Sequence, residues 1–157
     1  MIAVIYGTRP EIIKLSPIIR SAIEQERDLV TIHTGQHFSR NMNDVFFVNL
    51  ELPRPDYELN VGSKSHAEMV AEALVGIEKI LLKHKPTIVL VQGDTNSALA
   101  GALAAAKLGI KVGHIEAGLR SFDRRMPEEL NRVLIDHMSD LLFAPTHIAS
   151  NFLLSEG

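Results

Sequence analysis

The chain has 157 residues, 46% hydrophobic and 22% charged, with a net charge of -3 and scattered basic residues, which fits one ordinary globular domain and gives no nucleic-acid stripe. It has no cysteine, which excludes disulfides, thiol catalysis and cysteine-ligated zinc. No apolar run approaches the roughly 18 residues of a membrane span, and Met1 leads straight into a strand with no secretory pattern, so the expectation is a cytoplasmic protein that does not engage membranes.

Ile2 to Tyr6 is an apolar run, as for a strand buried on both faces. Gly7 ends it, and Thr8-Arg9-Pro10-Glu11 fits a capping box that opens a helix. Ile12, Ile13, Leu15, Ile18, Ile19, Ala22 and Ile23 form one apolar face of the helix, and Pro17 inside the pattern predicts a kink or a restart with Ser16 as a new cap. Leu29 to His33 reads as a second strand, residues 41–49 as a short helix, and residues 57–60 as an extended piece. Ser65 and Glu68 form a second capping box for a long helix to about His84, stopped by Pro86. Thr87 to Val91 and Val112 to Ile115 are apolar strands on either side of a stretch, Ser97 to Lys107, made almost entirely of Ala, Leu and Gly. That stretch reads as a tightly packed crossover helix, capped at its far end by Gly109. Pro127 opens a helix with Glu128 and Glu129 in its first turn. Residues 141–144 give a last strand and residues 146–155 a last helix. Strands alternating with helices imply an α/β fold with a doubly wound, mainly parallel sheet.

Ligands of such sheets bind outside the carboxyl ends of the strands. Four polar loops follow strands: Gly7 to Glu11, Thr34 to His37, Gln92 to Thr95, and Glu116 to Arg120. They are expected to bring Arg9, Lys14, His37, Asp94, Glu116 and Arg120 to one crevice, with Glu128 joining from the next helix start. Each has a plainer reading. Asp94 also fits a helix cap, Lys14 also fits a surface pair with Glu11, and Glu128 and Glu129 also fit the helix dipole. His37 and His114 fit polar side chains satisfied at strand ends, and the remaining histidines lack metal-ligand spacing. Collectively, several carboxylates and two cations at one edge suit an anionic substrate that needs proton transfers. The loop after the first strand lacks both the dinucleotide glycine spacing and the Gly-Lys-Ser/Thr of a P-loop.

Gly7-Thr8-Arg9-Pro10-Glu11-Ile12-Ile13-Lys14, Thr34-Gly35-Gln36-His37, Gln92-Gly93-Asp94-Thr95, His114-Ile115-Glu116-Ala117-Gly118-Leu119-Arg120-Ser121 and Pro127-Glu128-Glu129-Leu130-Asn131-Arg132 resemble, in order and spacing, the motif series of the non-hydrolysing UDP-N-acetylglucosamine 2-epimerases. The resemblance implies the N-terminal Rossmann-like domain, residues 1–157, of a two-domain GT-B-type fold whose C-terminal nucleotide-binding domain is absent. It implies interconversion of UDP-GlcNAc and UDP-ManNAc, precursors of cell-surface polysaccharides, by elimination and re-addition of UDP through 2-acetamidoglucal. By motif match Asp94, Glu116 and Glu128 correspond to the catalytic acids, and Arg9 and Lys14, with Asp94 and Glu116, to the substrate-binding set. No metal or cofactor is implied, and the family resemblance suggests a homodimer. Residues 38–41 differ from those of bacterial members that bind a second UDP-GlcNAc as activator. Two other readings stand beside this one: the acceptor-side domain of a GT-B glycosyltransferase, and a non-catalytic binding domain. Three acids favour the epimerase, since a transferase usually needs one base.

Overall fold

The computed structural model describes residues 1–35 and 47–157. Six parallel strands form one sheet: β1 (Ile2–Tyr6), β2 (Leu29–His33), β3 (Tyr57–Glu58), β4 (Ile88–Gln92), β5 (Lys111–Ile115) and β6 (Leu141–Phe143). Their spatial order is β3-β2-β1-β4-β5-β6. Five helices are described: α1 (Arg9–Glu24), α2 (His66–His84), α3 (Asn96–Lys107), α4 (Pro127–Met138) and α5 (His147–Glu156). The expected doubly wound α/β architecture is therefore present, and its strand order reverses between β1 and β4. Crevices at such a switch point are where open α/β sheets bind ligands.

Alternation along the strands sorts the core into two layers. Val4, Tyr6 and Leu90 face Ile12, Leu15 and Ile19 of α1. Ala3, Ile5, Val89 and Val91 face α2 and α3, with Ile135 of α4 in the same cluster. Each large side chain fully buried this way contributes about 1.5–3 kcal/mol. The small residues of α3 let it lie close on the sheet: a Cβ added at Gly101 would sit 3.0 Å from both Ile5 and Val91.

Most predicted boundaries hold within a residue. The extended piece expected at residues 57–60 is strand only at Tyr57–Glu58. The short helix expected at residues 41–49 lies mostly outside the described residues, of which residues 47–49 are helical. Pro17 neither ends α1 nor restarts it, because a single helix runs through it. Proline cannot donate to the carbonyl four residues back, and here the Ser16 hydroxyl donates to that Ile13 carbonyl instead, at 2.8 Å. Ser16 thus repairs the helix rather than capping a new one.

Candidate active site

The loops after β1, β4 and β5 meet at the carboxyl edge of the sheet, and the chain there is shaped by close approach. A Cβ at Gly7 would run into the hydroxyls of Ser97 and Thr34 and lie 2.8 Å from Ser97 Cβ, so only glycine fits. Beyond Gly7, Glu11 closes the predicted capping box and then goes further. Its carboxyl, 1% exposed, accepts from the Gly7 and Thr8 amides (3.1 and 2.7 Å), the Thr8 hydroxyl (2.7 Å) and the Thr95 hydroxyl (2.8 Å). Burial pushes this carboxyl above its ordinary value, opposed by the bonds from Thr8, Thr95 and Gly7. Glu11 therefore ties the start of α1 to the start of α3, and it is not available for the surface pair with Lys14.

Lys14 reaches Glu116 instead. Its ammonium lies 2.8 and 2.6 Å from the two carboxylate oxygens, and the side chains are 47% and 26% exposed. The pair is open to solvent, so as an ion pair it contributes no more than about 1 kcal/mol to stability. Gln92, at the end of β4, also donates to Glu116 through its side-chain amide. Glu116 itself has a φ of 72°, a left-handed conformation that costs a residue other than glycine about 1–3 kcal/mol. The turn is held by the amides of Glu116 and Ala117, both bonded to the Phe143 carbonyl at 3.1 Å. Its result is a carboxylate lying over Gly93, 3.8 Å from where a Cβ would be.

Asp94 follows Gly93 but is not the helix cap. Thr95 caps α3, its hydroxyl accepting from the Ala98 amide at 3.1 Å. The Asp94 carboxylate instead takes Nε and Nη2 of Arg132, with the Nε contact at 3.1 Å. Its carbonyl accepts from Asn131 at 2.9 Å. Glu128 is exposed in the first turn of α4 and has no hydrogen bond or ion pair to a described residue. Arg9 is exposed at the first position of α1.

The neighbouring Glu129 is a buried loop anchor, more than an acid placed for the helix dipole. It accepts from the Ser121 and Phe122 amides at 2.9 and 3.0 Å and from the Ser121 hydroxyl at 3.0 Å, and Arg132 lies 3.1 Å away. Burial alone would raise its carboxyl; the Ser121 and Phe122 amides and Arg132 outweigh that and hold it low. Arg120 does not join the crevice as expected. Its side chain is buried, bonded to Asp136 at 2.7 Å and to Glu156 at 2.6 and 2.9 Å. His37 lies outside the described residues, as do residues 38–41.

Of the expected residues, the structure brings Lys14 and Glu116 into contact and sets Asp94 on the adjacent loop, with Arg9 and Glu128 at the two nearby helix starts. Sequence reasoning missed Gln92, Arg132 and Asn131 as the groups that hold these acids. A usable signal was present in α4, where the polar residues 129, 132 and 136 recur at helical spacing. That helix buries Glu129, Asn131 and Asp136 while Leu130 and Leu134 stay exposed.

The family model described as UDP-N-acetylglucosamine 2-epimerase matches residues 21–157. A UDP-N-acetylglucosamine 2-epimerase of Methanococcus maripaludis is 63% identical over 156 residues, which span 99% of this chain and 42% of the relative. A UDP-2,3-diacetamido-2,3-dideoxy-D-glucuronate 2-epimerase of Pseudomonas aeruginosa is 52% identical, spanning 99% of this chain and 44% of the relative. The crystal structure of Methanocaldococcus jannaschii UDP-GlcNAc 2-epimerase in complex with UDP-GlcNAc and UDP superposes with a TM-score of 0.96 at 62% identity, covering 99% of this chain and 43% of that one. The chain thus spans less than half the length of the relatives it matches, and it belongs to the UDP-N-acetylglucosamine 2-epimerase family.

Proposed function

We propose that this chain is the N-terminal domain of a two-domain enzyme that interconverts UDP-GlcNAc and UDP-ManNAc. The observation that carries the reading is the Lys14–Glu116 contact at the sheet's switch point, built from family motifs and aimed by a left-handed residue. The C2 proton of the sugar is not acidic, so inversion proceeds by elimination. A carboxylate takes the C2 proton, the C1–O bond breaks with its electrons leaving on UDP, and a C1–C2 double bond remains. UDP then adds back to C1 as a proton is delivered to the other face of C2. Substrate and product have the same oxidation state, so the acids Asp94, Glu116 and Glu128 suffice for the proton transfers. Arg9, Lys14 and the N-terminus of α1 face the negative charge of the departing diphosphate. The substrate and the family point to a cytoplasmic homodimer.

A second reading concerns the sugar alone. The 52% identity to a relative named for a diacetamido-glucuronate substrate favours a 3-acetamido uronate as an alternative. The test offers both nucleotide sugars to the two-domain protein and follows the 2-epimers by proton NMR. UDP-ManNAc formation is the expected outcome, with no comparable turnover by residues 1–157 alone, since catalysis needs its groups in one closed site. Turnover of neither sugar would remove the proposal, and exclusive turnover of the uronate would change its substrate.

A further inference from the structure

Asp136 stands apart from every acid assigned to chemistry, yet it bonds to the Glu116 loop and reaches the Asp94 loop through His114. It lies in the last turns of α4, 5% exposed. One carboxylate oxygen accepts from His114 Nδ1 at 2.6 Å, and the other accepts from the Gly118 amide at 3.1 Å and from Arg120 at 2.7 Å. His114 is fully buried and uses its second ring nitrogen to donate to the Gly93 carbonyl at 2.8 Å. A carbonyl and a carboxylate are both acceptors, so each ring nitrogen of His114 is held against a fixed acceptor. Asp136 is the fixed acceptor at the centre.

The partners have a pattern. His114, Gly118 and Arg120 lie two residues before, two after and four after Glu116, while Gly93 immediately precedes Asp94. A Cβ at Gly118 would collide with the Ala149 carbonyl of α5, so the turn has no room to relax on that side. Glu156 holds the far face of Arg120. One buried carboxylate therefore grips the Glu116 turn on both sides and reaches the Asp94 loop through His114.

We propose that Asp136 is a positioning residue that fixes Glu116 and Asp94 relative to one another, acting through His114, Gly118 and Arg120. The inference rests on the functional reading above. Misplacement of a reacting group by about 1 Å costs on the order of 10²-fold in rate. Buried satisfied networks of this kind specify a single arrangement, and a half-satisfied one does not.

The test uses D136N in the two-domain protein. The amide keeps the volume but turns a donor toward one of three donors. We expect kcat to fall roughly 10²-fold with KM changing less than about threefold, because Arg9 and Lys14 keep their places at the substrate's charge while the acids lose theirs. In an E116Q background the same change should cost less than it does in the parent, since the share of its effect that runs through Glu116 is already lost. A folded D136N with kcat within threefold of the parent, or a full and additive loss in the E116Q background, would overturn the inference. If D136N does not fold, H114Q cuts only the arm to Gly93, and an unchanged kcat there overturns it equally. If the parent itself turns over no nucleotide sugar, it is the functional reading that fails. Amide exchange at Ala117 and Gly118 then reads the clamp alone: at least a tenfold rise in D136N, or in H114Q at Asp94, supports it, and unchanged rates overturn it.

Discussion

Lowering the pH from 6.5 to 4 should destabilise this domain through the His33 ring. The side chain is 2% exposed, packed 5.5 Å from Tyr6 and 6.3 Å from Phe47 between ring centres, and its Nδ1 has no hydrogen-bond partner. Burial drives its pKa down from 6.5 to about 4, only partly offset by its bond to the Gly7 backbone. Between those two values the unfolded chain binds a proton that the folded chain refuses, so stability rises with pH across the window and falls as pH drops through it. At about 1.4 kcal/mol per pH unit, going from pH 6.5 to pH 4 removes roughly 3 kcal/mol. For a domain of this size that is a fall in Tm of roughly 6–12 °C. The assay is urea unfolding at half-unit pH steps for the parent and for H33F, whose ring fills the same space without titrating. The parent should lose roughly 3 kcal/mol more than H33F between pH 6.5 and pH 4. Parallel curves would refute the reasoning and show that the ring is protonated in the fold.

Gly7→Ala forces Ser97 and Thr34 aside and should cost about 1–3 kcal/mol, read as a lower Tm by calorimetry. Asp136 and Glu129 are held below their ordinary values, so their contribution is present above that range and lost as pH falls through it; D136N should flatten the acid end of the stability curve. Glu128→Gln in the two-domain protein should lower kcat by about 10²–10⁴ while leaving Tm within a degree or so, because Glu128 is exposed and bonds to no described residue. Lys14→Ala should lower kcat by roughly tenfold or more. Steady-state kinetics check both.

The fold was legible because its cues are local. Apolar runs, the Thr8 and Ser65 capping boxes, and the Ala-rich crossover each specify an element within a few residues. What eluded the sequence depends on side chains meeting across the sheet. Glu11 looked like a partner for Lys14 at helical spacing, but a carboxylate that satisfies Gly7, Thr8 and Thr95 is buried by that task. Arg120 carries the same charge as Arg9 and Lys14 and follows the same kind of loop. Its inward turn is set by Asp136 and Glu156, 16 and 36 residues away. The buried polar face of α4 reverses the usual amphipathic rule, because the loops it supports offer amides to bind instead of apolar surface to cover.

Proton exchange at C2 of a nucleotide sugar, the role proposed for the Glu116 and Asp94 loops, has a direct readout. The most direct measurement is proton NMR of UDP-GlcNAc recovered from D₂O after incubation with the two-domain protein. Deuterium at C2 of recovered substrate and of UDP-ManNAc is the predicted result, with the exchange rate down by about 10²–10⁴ in E116Q. Epimerisation that retains the original C2 hydrogen, or C2 exchange at an undiminished rate in folded E116Q, would contradict it.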